Sequence, residues 1–363
     1  MAVFISSGRM RLRWMGMVAV GALVLQAGTV AAAESSRASV EVAYSPSLDL
    51  FNLLDNLPDW LPGYTSAAYR QEWQRRFGLD QRDRVLLAGY AAFRRRTSPL
   101  ARDDEAKGTP ADRLFAGSDT RNGDPYTQHF LGTASFDAAT ESAIAAQTPD
   151  DQALLRQYYA RFAPRARRLL TASQPFHEQQ DALARQLTSP PVGRLADEMK
   201  AFFKVDAPPT FQVRFLWWPE ATQTQAKLRG GYIFLFSTFD AKEDWAPIVM
   251  HEYSHFLSAG QPLKQRQLLA GAFAALCPEA LTLPNPLNAL EEPLAIYWGQ
   301  YRFQHQVRGE TLSAASSWYI QPRADRAAKA LAIAFPAGRP APRLEVGPLL
   351  DAAASVCAYA KVE

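Results

Sequence analysis

Two histidines four residues apart, with a glutamate beside the first, form the segment of this 363-residue chain best equipped for chemistry: His251-Glu252-Tyr253-Ser254-His255. On a helix both imidazoles project from one face and can bind a single metal ion. Glu252 is turned about 100° from His251, so its carboxylate lies beside such an ion rather than on it. Zinc lowers the pKa of a water it holds, and a neighbouring carboxylate takes the proton as that water attacks a carbonyl. The flanks are those of a buried helix: Ile248-Val249-Met250 precede the motif, Phe256-Leu257 follow it, and Glu252 is the one charge between residues 248 and 257. A buried glutamate without a partner is costly, and a metal or a dense hydrogen-bond network justifies it.

A catalytic zinc needs a third protein ligand and an open position. After the motif the candidates are Cys277, Glu279, Glu291, Glu292, His305, Glu310, Asp325, Glu345, Asp351 and Cys357, while a third histidine six residues on is excluded by Gln261. Glu291-Glu292-Pro293-Leu294-Ala295 stands out because it opens a segment with helical spacing to about Gln306, carried by Leu294, Tyr297, Trp298 and Tyr301. Neighbouring helix positions differ by about 100°, so Glu291 and Glu292 cannot ligate equally.

The pattern of H-E-x-x-H followed roughly 36 residues later by a helix beginning Glu292-Pro293-Leu294-Ala295 resembles the gluzincin-type zinc metallopeptidases over about residues 205 to 306. That resemblance implies peptide-bond hydrolysis with one zinc ion held by His251, His255 and Glu292, and Glu252 as general base and acid. It further implies that the strand before the active helix forms the upper edge of the cleft. Gly230 to Phe236 is placed there, making Gly230, Gly231 and Tyr232 the expected substrate-binding residues. A Tyr or His after the third ligand then stabilises the oxyanion; Tyr319 is preferred to His305 and Tyr297. The acid that several members carry about four residues after the ligand is missing, since Ala295 and Ile296 stand there.

These side chains need a scaffold. Asp244 at the cap, Pro247 in the first turn and Gly260 before Pro262 bound the active helix. Before it, Phe211, Val213, Phe215 and Trp217 alternate as one strand and Tyr232 to Phe236 reads as another, the two pairing across a polar connection. The N-terminal half reads as a short strand at 39–44 and helices near 48–54, 65–77, 80–96, onward from 150, 174–187 and 192–203. Residues 98–125 have a loop composition, and Arg94-Arg95-Arg96 reads as a solvated helix end. A motif mimic, His177-Glu178-Gln179-Gln180-Asp181, lacks apolar flanks and reads as a solvated face. The expected fold class is α+β and mainly helical: a helical N-terminal region, 34–205, then a gluzincin-like catalytic region, 206–363, with a small antiparallel β element.

Residues 1–33 read as a secretory signal peptide, with Arg9, Arg11 and Arg13 before an apolar run and Ala31-Ala32-Ala33 at the cleavage point. The formal charge of +3 belongs wholly to that leader, because its arginines are three of 39 basic residues while none of the 36 acidic ones lies there. A neutral mature chain removes the charge argument for nucleic-acid binding. The expected product is periplasmic or secreted, acts on a peptide or protein substrate, and has no stable membrane insertion after cleavage. Cys277 and Cys357 are read either as one bridge or as two buried thiols, and the sequence sets no oligomeric state. The alternative function is a zinc-stabilised envelope protein that binds peptide or protein without turnover.

Overall fold

In the computed structural model the described residues are 40–61, 64–99, 124–132, 135–171, 176–205, 211–220, 225–229, 231–239, 242–278, 288–341, 343–344 and 357. The leader and residues 100–123 of the expected loop lie outside them. The chain runs through strand β1 (Val40–Tyr44) and helices α1 (Pro46–Asn56), α2 (Ala67–Phe77), α3 (Gln81–Thr97), α4 (Pro125–Leu131), α5 (Phe136–Ala145) and α6 (Pro149–Thr171). Helices α7 (His177–Leu187) and α8 (Pro190–Phe203) lead to β2 (Phe211–Trp217), β3 (Gln225–Arg229) and β4 (Tyr232–Ser237). There follow α9 (Trp245–Gly260), α10 (Leu263–Leu276), α11 (Asn288–Ile296), two π-helical segments (Tyr297–Arg302 and Gln304–Arg308) and α12 (Pro322–Ala334).

Local chemistry sets these boundaries. Ser45 Oγ accepts from the Leu48 amide at the start of α1, and Asp80 and Asp83 form a reciprocal capping box on α3. Helix α2 stops at Gly78, whose φ of +68° is a left-handed value that side chains disfavour.

The strands form one sheet in the order β1-β2-β4-β3. β1 pairs with β2 and β2 with β4 in parallel, Val213 standing opposite both Val42 and Ile233, while β3 pairs antiparallel with β4. Side chains alternate between the two faces. Phe211, Val213, Phe215, Ile233 and Leu235 join α7 to α12 in one core; Leu216, Phe234 and Phe236 join α1 to α6 in another. A sheet covered on both faces explains its continuous apolar runs.

The fold is thus α+β and mainly helical. Its small sheet is mixed rather than antiparallel throughout, since the strands at 211–217 and 232–237 pair in parallel. The polar connection between them contains β3, where Gln225 and Lys227 mark an edge strand and Ala226 and Leu228 pack against the core beside α9. β1 ties the N-terminal helical region into this sheet, and Arg37–Glu363 form one compact unit. Among the described residues no helix is long and apolar enough to cross a membrane.

Arg94 departs from the solvated helix end expected of it. It is fully buried, donates from Nε to Asp55 (2.8 Å) and also pairs with Asp124, with Trp60 and Tyr126 rings against its guanidinium. Tyr90 donates a further bond to Asp55 (2.8 Å), so one guanidinium and its hydrogen-bonded carboxylates tie α1 and α3 to the start of α4. Cys277 and Cys357 form a disulfide, their Cα atoms 5.3 Å apart.

Candidate metal centre

Helix α9 is buried along most of its length, with Trp245, Val249, Met250, Tyr253 and Leu257 in the core. Asp244 occupies its N-cap position, yet the side chain makes no capping bond and pairs instead with Arg308. The four-residue spacing brings the His251 and His255 rings to 5.1 Å between centroids. Helix α11 packs against α9 and delivers the carboxylate. Glu292 Oε1 lies 3.3 Å from His251 Nε2, and Oε2 lies 3.3 Å from His255 Nε2.

One ligand atom from each of His251, His255 and Glu292 lies within 4.8 Å of the others, and this is the one such group of three or more found among the described residues. The spacing fits a metal. Bonds of about 2.0–2.1 Å in a tetrahedral site place neighbouring donor atoms roughly 3.3 Å apart. Two imidazoles and a carboxylate form a donor set compatible with zinc.

The adjacent glutamates separate in the fold. Glu291 is buried and accepts from Ser258 Oγ at 2.9 Å, on the side of α11 that faces Leu269, Ala270 and Leu344. Glu292 alone of the pair reaches the histidines. Burial raises its carboxyl, but hydrogen bonds from His251 and His255, and their charge, hold it well below the usual carboxylate range. Burial lowers His251, while Glu292, the nearby Glu252 charge and Gln300 outweigh that effect and raise it.

Tyr319 reaches the same place from the loop before α12. Its ring stacks on His251, with centroids 5.6 Å apart and planes 16° from parallel. Burial, the Glu292 charge and a hydrogen bond to Glu292 raise its phenol far above the ordinary value, with Glu252 adding to the effect. Asp325 Oδ1 anchors this loop by accepting from the Trp318 amide (2.6 Å) and the Tyr319 amide (3.1 Å). Asp325 therefore positions Tyr319 and is not a ligand.

The other expectations divide. Tyr297 is buried and donates to the Phe335 carbonyl at 2.8 Å; His305 sits on the second π-helical segment. Cys277 and Cys357 are committed to the disulfide, while Glu279, Glu345 and Asp351 lie outside the described residues. His177 and Glu178 are exposed at the start of α7, as the absence of apolar flanks implied. Gly230 also lies outside the described residues, and Gly231 accepts from the Gln212 amide at the entrance to β4. Tyr232 packs with Phe234 toward the N-terminal helices, the sheet face opposite α9. A substrate strand cannot pair with β4, because β2 and β3 take both of its edges. The edge that runs beside α9 is β3.

Gly299 is a site residue that motif reading missed. A Cβ there would lie 2.6 Å from His251 Cβ and 2.7 Å from His251 Cα and N, so only glycine lets the two helices meet at this point. Gly299→Ala is expected to force α9 and the π-helical segment apart. Thermal unfolding of the metal-free protein should show a loss of about 1–3 kcal/mol, together with weaker metal binding.

Comparison with protein-family models, curated protein sequences and solved structures finds no match for this chain.

Proposed function

We propose that the protein is an exported zinc metallopeptidase in which His251, His255 and Glu292 hold one zinc ion. The observation that carries this reading is the meeting of both His251 and His255 Nε2 atoms with the two Glu292 oxygens at 3.3 Å. When bound there, zinc supplies Lewis-acid polarisation of a water and of a substrate carbonyl.

The chain's own groups account for the remaining steps. Glu252, one position along α9 from His251, accepts the proton of the attacking water and returns it to the departing amine. The Tyr319 phenol, protonated at neutral pH as any ordinary tyrosine is and stacked on His251, donates to the oxygen on which charge develops. The edge strand β3 offers main-chain groups to an extended peptide beside α9, which supports a peptide or protein substrate over a small hydrolysable molecule. The Cys277–Cys357 disulfide supports an oxidising compartment, periplasmic or extracellular, as the signal-like leader implies.

The test is turnover. Purified protein incubated with casein or a peptide library is expected to release new amino termini, to lose activity with a zinc chelator, and to regain it when zinc is restored. Stoichiometric zinc without cleavage of any peptide in the library would instead identify a zinc-stabilised binding protein.

A further inference from the structure

His251 is held from two sides. While its Nε2 faces Glu292, its Nδ1 lies 3.5 Å from Gln300 Oε1. Ala295 and Ile296, which stand where an acid is missing, are fully buried and have no side-chain acceptor. Gln300 comes from further along the chain, in the π-helical segment Tyr297–Arg302.

The π geometry explains how it gets there. Eight residues of regular α-helix would leave Gln300 about 80° round the axis from Glu292. A π turn takes in more residues than an α turn, so each residue rotates by less and Gln300 swings back toward the Glu292 face. The same segment brings Gly299 against the His251 backbone. One irregular stretch thus fixes both the main chain and the ring of His251.

We infer that Gln300 is a positioning residue of the metal centre: its amide oxygen accepts the Nδ1 proton of His251 and so fixes the tautomer whose Nε2 is free to ligate. The reverse tautomer would carry the proton on Nε2, where the ion must bind. Unlike a carboxylate, the amide does this without adding charge, leaving Glu292 as the only anionic ligand. The inference rests on the zinc-site reading above.

Metal binding by the full purified chain tests it without any assay of activity. Metal-free parent, Gln300→Ala and Gln300→Glu are titrated with Zn²⁺ against a chromophoric chelator and with Co²⁺ by visible absorption, and apo unfolding temperatures are recorded alongside. Expected for the parent is one equivalent of metal. Gln300→Ala should bind Zn²⁺ about 10- to 100-fold more weakly with an altered Co²⁺ spectrum, and Gln300→Glu should bind at least as tightly as the parent. A Gln300→Ala protein within about twofold of the parent, with an unchanged spectrum, would overturn the positioning role and leave the zinc site standing. The role is also overturned if both variants weaken binding only in proportion to a lowered apo unfolding temperature, since that is a packing effect. Failure of the parent to bind either ion would overturn the zinc site and the inference together.

Discussion

Glu252→Gln is expected to retain one equivalent of zinc and to hydrolyse peptide about 10²- to 10⁴-fold more slowly than the parent, the range in which a positioned general base contributes. The substitution preserves the size of the side chain and removes its ability to take a proton. Because Glu252 lies outside the group of His251, His255 and Glu292 that could hold an ion, the substitution leaves those three residues intact. The measurement is paired: metal content of the purified variant, and kcat on a peptide that the parent cleaves. Loss of metal along with activity would make Glu252 part of the site's architecture. Unchanged kcat with metal bound would remove it from the reaction altogether.

The second large effect separates two neighbours. Glu292→Gln should weaken zinc binding by about 10²-fold or more, since roughly 10–16 kcal/mol of site affinity shared among the ligands gives each about 3 kcal/mol or above. Glu291→Gln should bind zinc within about threefold of the parent, because Glu291 is turned toward Ser258 and the amide oxygen can still accept that bond. Competition with a chelator of known affinity reads both. Equal losses in the two variants would mean that the carboxylates act together and that the division described above is wrong. Measuring unfolding in the metal-free state separates ligand loss from damage to the α9–α11 contact.

Much of the candidate site could be read in advance, for reasons that are local. A four-residue spacing on a helix puts His251 and His255 on one face whatever the rest of the chain does. The cap position of Asp244, Pro247 and Gly260 bound that helix closely, and the structure runs it from Trp245 to Gly260. Alternation likewise identified the strand Phe211–Trp217, and an unbroken apolar run identified the core of Tyr232–Ser237. Strand partners were harder. Alternation fixes which residues share a face but not which strand lies beside which, so the parallel pairing of β2 with β4 was invisible, and β3, short and polar on one side, passed as a connection. The expectation that substrate pairs along the strand of Tyr232 meets the same limit: β4 is an inner strand, with Tyr232 on the far face.

Arg94 makes a similar point. Three consecutive arginines at a helix end look solvated, and only the arrival of Asp55 and Asp124 from other elements makes a buried position tolerable. Gly299, Gln300 and Asp325 were out of reach too. No spacing rule signals that a helix will widen into π turns, or that a carboxylate seven residues away from Trp318 will hold its loop over a histidine.

By itself the sequence determined the chemistry available to this protein: two imidazoles on one helical face, a glutamate beside them, and a second acidic pair a fixed distance down the chain. Tertiary structure decided which of that pair faces the histidines. Glu291 and Glu292 are chemically identical, and their difference arises only because the packing of α11 on α9 points one at Ser258 and the other at both histidines. Tertiary structure also sets Tyr319 against the His251 ring while the Tyr297 hydroxyl is spent on the Phe335 carbonyl, a separation that packing and not spacing produces. Helical periodicity is a short-range property and survives translation into sequence. Convergence of side chains from separate elements is set by close packing, and it becomes visible only when those elements have been brought together.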